Sequence, residues 1–219
     1  MLISPPILLS VAGMVGVGKT TFATHLADSL GLKLYLEKVE GNPYLDDYYR
    51  DFKKWSFHMQ IYFLIERFKE QKRIHHEGRG IIQDRTIYED AEIFARIQYE
   101  QGNMSNRDYE TYSALYESII ENPYFPPPTL VIYLYGSFEK IMERIEGRGR
   151  KSEINTPLSY WKELYSRYEE WISQFTAAPV LKINIDDYDL FKSNQDLHRI
   201  HSLIGKTIRL QKNSMECSP

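Results

Sequence analysis

The stretch Ile7-Leu8-Leu9-Ser10-Val11-Ala12-Gly13-Met14-Val15-Gly16-Val17-Gly18-Lys19-Thr20-Thr21-Phe22 decides the fold. Ile7–Val11 is a short apolar run that reads as a buried strand, and a helical pattern follows from about Lys19 to Leu30, where Gly31 stops it. Between them Gly13–Thr20 matches G-x-x-x-x-G-K-[ST] in full, placed after a strand and opening a helix as a phosphate loop requires. Glycines let backbone N–H groups curl around phosphate oxygens, and the helix N-terminus adds partial positive charge. Gly13, Met14, Val15, Gly16, Val17, Gly18, Lys19, Thr20 and Thr21 are therefore the candidate nucleotide-phosphate site. Lys19 is expected to reach the outer phosphates and the Thr20 hydroxyl to ligate Mg²⁺.

Outward from that loop, β-rich runs alternate with helical stretches. Further strands are predicted at Leu32–Leu36, Gly80–Gln83, Leu130–Leu134 and Val180–Ile185. Helices are predicted at about Tyr44–Tyr49, Trp55–Glu77 (ended by Gly78), Tyr88–Gln101, from the Ser105 cap to Ile120, and over Phe138–Ile145, Ser159–Phe175 and Leu197–Leu210. Strand–helix alternation implies an α/β fold with a five-stranded parallel sheet flanked by helices. The 219 residues suit one domain, about 1–210, with a short arginine-rich lid at about 147–156 and a flexible tail at 211–219.

A hydrophobic fraction of 42% and a charged fraction of 26% mark a globular chain and exclude disorder as the main state. The net charge of −3 lacks the basic surplus of a binder of polymeric nucleic acid, whereas small anions need only a local cluster of donors. No window approaches the roughly 18 apolar residues of a membrane span, and the N-terminus has no basic region of a signal peptide. A single cysteine, Cys217, cannot pair within the chain, so a cytoplasmic location is expected. The six histidines form no convincing metal set.

Several charged groups fall where ligands of such sheets bind, beyond the carboxyl ends of the strands. Asp84-Arg85-Thr86 closes the third strand: Asp84 suits Mg²⁺ and Arg85 a transferring phosphoryl, although a helix-capping Asp with a solvated Arg reads equally well. Glu37 ends the second strand, where a carboxylate is able to accept a hydroxyl proton. Arg144, Arg148 and Arg150 crowd around Gly147 and Gly149, as expected of a lid closing on polyphosphate. Gln60 and Arg67 lie two turns apart on one helix among aromatics and suit a nucleobase edge, but the pattern alone favours a wet polar face.

GMVGVGKT, LEKVEGNPYL, WSFHMQIYFLIERFKEQ, QDRTIYEDAEIFA and RIEGRGR occur in the order and spacing of the deoxyribonucleoside kinase family. The chain resembles most its bacterial deoxyadenosine/deoxycytidine kinase branch, from about Ile7 to Ile185. The resemblance implies a P-loop kinase fold and transfer of the ATP γ-phosphate to the 5′-hydroxyl of a deoxyribonucleoside, with Mg²⁺ as cofactor. It implies that Glu37 takes the hydroxyl proton, that Arg85 and Lys19 are catalytic, and that Thr20 and Asp84 serve the metal. Gln60, Arg67 and Asp90 would read the base, Phe94 stack on it, and Tyr49 with Glu153 bind the 3′-hydroxyl. A homodimer and restraint by a triphosphate end product are further implications. Two other readings compete: a nucleoside monophosphate kinase resembling thymidylate kinase, and a non-catalytic nucleotide sensor. The first needs no carboxylate base, and the second needs neither Glu37 nor the lid arginines.

Overall fold

The computed structural model describes residues 7–37, 41–77, 80–123, 125–188 and 194–216. Its centre is a parallel sheet of β1 (Leu8–Ala12), β2 (Lys33–Tyr35), β3 (Ile81–Asp84), β4 (Leu130–Tyr135) and β5 (Val180–Asn184), in the order β2-β3-β1-β4-β5. β1 is buried along its whole length, as its unbroken apolar run requires of a strand covered on both faces. It pairs with β3 on one side and β4 on the other, with Val11 beside Asp84 and Ala12 beside Tyr133. The chain leaves β1 toward β2 and later leaves β3 for the opposite side. The carboxyl ends of β1 and β3 therefore flank the switch point where this class of sheet holds its ligand.

The helices are α1 (Lys19–Leu30), α2 (Leu45–Arg50), α3 (Phe52–Glu77), α4 (Ile87–Glu89), α5 (Arg96–Glu100), α6 (Asn106–Ile120), α7 (Phe138–Arg148), α8 (Lys151–Ile154), α9 (Leu158–Gln174) and α10 (Asn194–Glu216). No helix among the described residues is long and apolar enough to cross a membrane. Between α4 and α5 the backbone widens into a π-helical turn, Asp90–Ala95. The expected single helix from Tyr88 to Gln101 is thus three pieces. Such turns are rare and concentrate at functional sites, and this one carries two residues of the cavity wall, Asp90 and Phe94. The last helix also runs past the expected end at Leu210, to Glu216. Residues 211–216 of the anticipated tail are thus in helix, while 217–219 and the Gly78 stop lie outside the described residues.

Candidate active site

The glycine loop is shaped by close packing as much as by turn chemistry. Gly13 has φ +143°, and a Cβ placed there would lie 2.4 Å from the Leu134 carbonyl oxygen. Only glycine fits between the strands at that point. α1 then begins at Lys19 behind Gly18, with no side-chain cap and no acid in its first turn. Its first amides and their partial positive charge are left for a ligand.

The loop forms one end of a cavity of about 1110 Å³, lined by Val15–Thr21, Glu37, Tyr49, Gln60, Arg85, Asp90, Phe94, Arg144, Arg148, Arg150 and Glu153. Arg67 and Asp84 stand just behind this wall, and Gly13 and Met14 lie under the loop. Residues spread over more than a hundred positions of sequence are thus gathered at one crevice. Lys140 and the segment Asp186–Tyr188 also line it, at positions the sequence reading passes over.

At the phosphate end, Lys19 Nζ donates to the carbonyls of Gly13 at 2.7 Å and Met14 at 3.1 Å. Burial pushes its pKa down to about 8, and Arg85 adds repulsion. Thr20 Oγ1 donates to Asp84 Oδ2 at 2.6 Å, whereas the buried Asp84 Oδ1 has no partner. Desolvation raises the Asp84 pKa despite the attraction of Lys19. A hydroxyl and an orphaned carboxylate oxygen beside a phosphate loop suit a hard divalent cation that completes its shell with phosphate and water. Among the described residues no group of three or more His, Cys, Asp or Glu makes an all-protein metal site.

Next to the phosphate end three charged side chains converge, close enough for Arg85 and Glu37 to act on the Lys19 charge. Glu37 Oε1 accepts from Arg67 Nη2 at 3.1 Å, and Arg85 Nε lies 2.7 Å from the same oxygen as an ion pair, without hydrogen-bond alignment. Burial works to raise the Glu37 pKa, but Arg85 and Arg67 outweigh it and hold the carboxyl below its ordinary value. Arg85 is the one non-glycine residue with positive φ, 72°, among those described. Such backbone strain collects at functional sites. Its guanidinium sits 4.8 Å from the Phe94 ring centroid.

Arg67 also donates to Asp90 Oδ2 at 3.0 Å and to the Asp84 carbonyl at 3.1 Å. Burial lowers the Arg67 pKa, yet Asp90, Glu37 and Glu70 together hold it above the ordinary arginine value. Burial lifts Asp90 to about 6, against the pull of Arg67. Gln60 and Arg67 are each only 2% exposed, which overturns the wet polar face the helix pattern favours. Gln60 Oε1 has no partner. An orphaned amide oxygen in a cavity wall is costly unless a ligand meets it. At the mouth, Glu153 accepts from Arg148 at 2.6 Å and Arg150 at 3.2 Å, and its charge adds to the burial that raises the Tyr49 pKa. Arg144 donates to the Val17 carbonyl at 2.7 Å.

Two buried residues at the back of the site are absent from the sequence reading. Glu89 completes a capping box with Thr86, and Tyr168 of α9 donates to it at 2.9 Å. The Thr86-x-x-Glu89 spacing is a legible capping signal. Nothing local marks Tyr168.

A family model described as deoxynucleoside kinase matches residues 9–209. The chain is 52% identical over 201 residues to the deoxyadenosine/deoxycytidine kinase of Bacillus subtilis (strain 168), covering 92% of this chain and 93% of that one. A solved structure of deoxyadenosine kinase from M. mycoides with bound dATP superposes with a TM-score of 0.77 at 33% identity, covering 91% of this chain and 99% of the other. The same enzyme with bound dCTP gives a TM-score of 0.71 at 32% identity over 97% of this chain and 100% of the other.

Proposed function

Since the chain belongs to the deoxynucleoside kinase family and transfers phosphate from ATP to a deoxyribonucleoside, we propose that Glu37 is its catalytic base and deoxyadenosine and deoxycytidine its favoured acceptors. Deoxyguanosine is a further candidate acceptor. The carrying observation is the Glu37 carboxylate, held ionised by Arg67 and Arg85 in the same cavity as the glycine loop. The same charge would repel an acceptor that already bears a phosphate, which argues against a monophosphate kinase.

In this reading the nucleoside lies with its base toward Gln60, its 3′-hydroxyl at Tyr49 and Glu153, and its 5′-hydroxyl at Glu37. Gln60 Oε1 accepts from an exocyclic amine, the N6 of adenine or the N4 of cytosine, and its amide N–H donates to the neighbouring ring nitrogen. Guanine and thymine present the reverse pattern, a carbonyl oxygen beside a ring N–H, which meets Gln60 only with its amide turned over. Phe94 stacks on the base, and the Arg67–Asp90 pair closes its edge. Lys19 exchanges its two loop carbonyls for the outer phosphates of ATP. Thr20 and Asp84 would hold Mg²⁺, which supplies charge neutralisation at the phosphates when bound. Glu37 takes the 5′-hydroxyl proton as the oxygen attacks, and Arg85 stands against the charge on the transferred phosphoryl. Arg144, Arg148 and Arg150 belong to the proposed lid at 147–156 and the helix before it, closing over the donor and excluding water.

A deoxynucleoside triphosphate fits the cavity as a two-ended ligand, base at Gln60 and phosphates at the loop, so end-product inhibition belongs to the proposal. So do a cytoplasmic location and a homodimer; Ile65 of α3 and Leu115 of α6 are exposed at 43% and 39%. An ATP-coupled assay against the four deoxynucleosides and deoxythymidine monophosphate tests the assignment. Highest kcat/KM for deoxyadenosine or deoxycytidine supports it. Preference for deoxyguanosine, thymidine or the monophosphate refutes it.

A further inference from the structure

Glu89 is fully buried, does not line the cavity, and yet collects donors from three separate elements. Its Oε1 accepts from the Gly13 amide at 3.1 Å and from the Tyr168 hydroxyl at 2.9 Å. Its Oε2 accepts from the Thr86 amide at 2.8 Å and the Thr86 hydroxyl at 3.1 Å. A capping box needs only the Thr86 bonds. The bonds to Gly13 and Tyr168 are additional, and they reach the glycine loop and the partner of Arg85. Gly13 is the entry to the phosphate loop. Tyr168 in turn accepts from Arg85 Nη1 at 2.9 Å, and that nitrogen lies 3.8 Å from Glu89 itself.

The consequence for Arg85 is geometric. Its backbone is in the left-handed region, and the next residue, Thr86, is held through both its amide and its hydroxyl by Glu89. Its guanidinium is divided between Glu37 at one edge and Tyr168 at the other. Without the Tyr168–Glu89 anchor, Nη1 loses the partner that holds it away from Glu37, and the guanidinium is free to turn one full edge onto that carboxylate as a bidentate pair. That would tie up the carboxylate and withdraw the arginine from the phosphoryl path.

We propose that Glu89 is a positioning residue for phosphoryl transfer, registering the start of the glycine loop against the Arg85 guanidinium through Thr86 and Tyr168. It touches neither substrate. The proposal rests on the kinase reading above, with Arg85 at the transferred phosphate.

The test is a double-mutant cycle on the full chain, Tyr168→Phe, Glu89→Gln and both together, with kcat and KM for ATP and deoxyadenosine and a melting curve for each. Tyr168→Phe deletes one hydroxyl and keeps the ring packed against Trp171 and Phe94, so it serves even if Glu89→Gln does not fold. Loss of one hydrogen bond to a charged group predicts a kcat lower by about 10- to 100-fold for Tyr168→Phe, with each KM within about 3-fold. Glu89→Gln falls further, and the double variant is no worse than Glu89→Gln, because both changes release the same guanidinium. A folded Tyr168→Phe with unchanged kcat, a raised KM with kcat spared, or additive losses would each overturn the proposal. Arg85→Lys, measured alongside, separates the two levels. If it keeps full kcat, the role of Arg85 itself is wrong. If it is inactive while the Tyr168 and Glu89 variants are not, only the positioning role falls.

Discussion

Replacing Glu37 by Gln isolates a single property, the basic oxygen, because the side chain keeps its shape and an acceptor. The structure sets the expected costs. Both arginines contact Oε1, which leaves Oε2 as the oxygen that would meet the hydroxyl in the proposed mechanism. After the change Arg67 still has the Asp90 carboxylate at 3.0 Å, and Arg85 still has the Glu89 carboxylate at 3.8 Å besides its bond to Tyr168 at 2.9 Å, so neither buried cation is left without an anion. Weakening contacts at one oxygen predicts about 1–2 kcal/mol of lost stability. Loss of general base catalysis predicts a kcat lower by about 10²–10⁴, or roughly 3–5 kcal/mol of transition-state free energy. KM for deoxyadenosine should move by less than about 5-fold, since the lost interaction belongs to the transition state. An ADP-coupled assay at saturating ATP, with both constants and a melting temperature for parent and variant, reads all three. Unchanged kcat with a raised KM would refute the reasoning and reduce Glu37 to a sugar-positioning group. The depressed pKa adds a second reading of the same residue. Its stabilising charge interactions are complete above the ordinary glutamate range and are lost as pH falls through the lowered value, so acid unfolding of the parent should be sharper than that of Glu37→Gln.

Other outcomes follow from the same geometry. Arg67→Met alone strands the buried Asp90 and should cost about 3–5 kcal/mol in chemical denaturation, whereas Asp90→Asn leaves Arg67 with Glu37 at 3.1 Å and Glu70 at 3.7 Å and should cost less. The double replacement is milder than Arg67→Met and shifts preference among deoxynucleosides, and equal losses on every substrate would remove the pair from base reading. Gly13→Ala places a methyl 2.4 Å from the Leu134 carbonyl and should abolish ATP binding or folding outright, which calorimetry and circular dichroism distinguish from tolerance. Glu70 is lifted to about 7 by burial, against the pull of Arg67. The folded state therefore keeps a proton the unfolded chain has lost, and stability declines as pH rises from about 4.5 to 7. Glu70→Gln should flatten that decline, leaving the part due to Asp90, and an unchanged slope of urea midpoints between pH 5 and 8 would count against it. Lys19→Ala should remove turnover while leaving the melting temperature within a few degrees, because its bonds are to loop carbonyls and not to core side chains.

The order of strands and helices was legible because it depends on short-range patterns: apolar runs of strand length, glycine stops, and a motif whose spacing is dictated by phosphate geometry. The glycine loop, Glu37, Asp84-Arg85 and the lid arginines all sit at ends of elements that such patterns locate. Reading failed where the decisive partner was remote in sequence. On α3 the polar residues Gln60 and Arg67 looked like a solvated face, since periodicity records polarity and not what covers it. What covers them is the π-helical turn carrying Asp90, 23 residues beyond Arg67, and the strand ends carrying Glu37 and Asp84.

The π-helical turn itself has no local signature in Asp90–Ala95, and the sequence predicts a plain helix there. Glu89 shows the boundary most clearly. Its capping role is written in the spacing Thr86-x-x-Glu89, but its bond to Gly13 spans 76 residues and its bond to Tyr168 spans 79. The amino-acid sequence by itself determined a parallel α/β sheet with a phosphate loop, the family, and a set of candidate site residues, though not Lys140 or Asp186–Tyr188 of the cavity wall. Local backbone preferences and motif spacing suffice for that. Only the tertiary structure decided which charges are buried together, which oxygen of Glu37 faces the arginines, and which atoms of Gln60 and Asp84 are left without partners. Those depend on desolvation and on ångström-scale distances between elements far apart in the chain, and neither is encoded in a residue's neighbours.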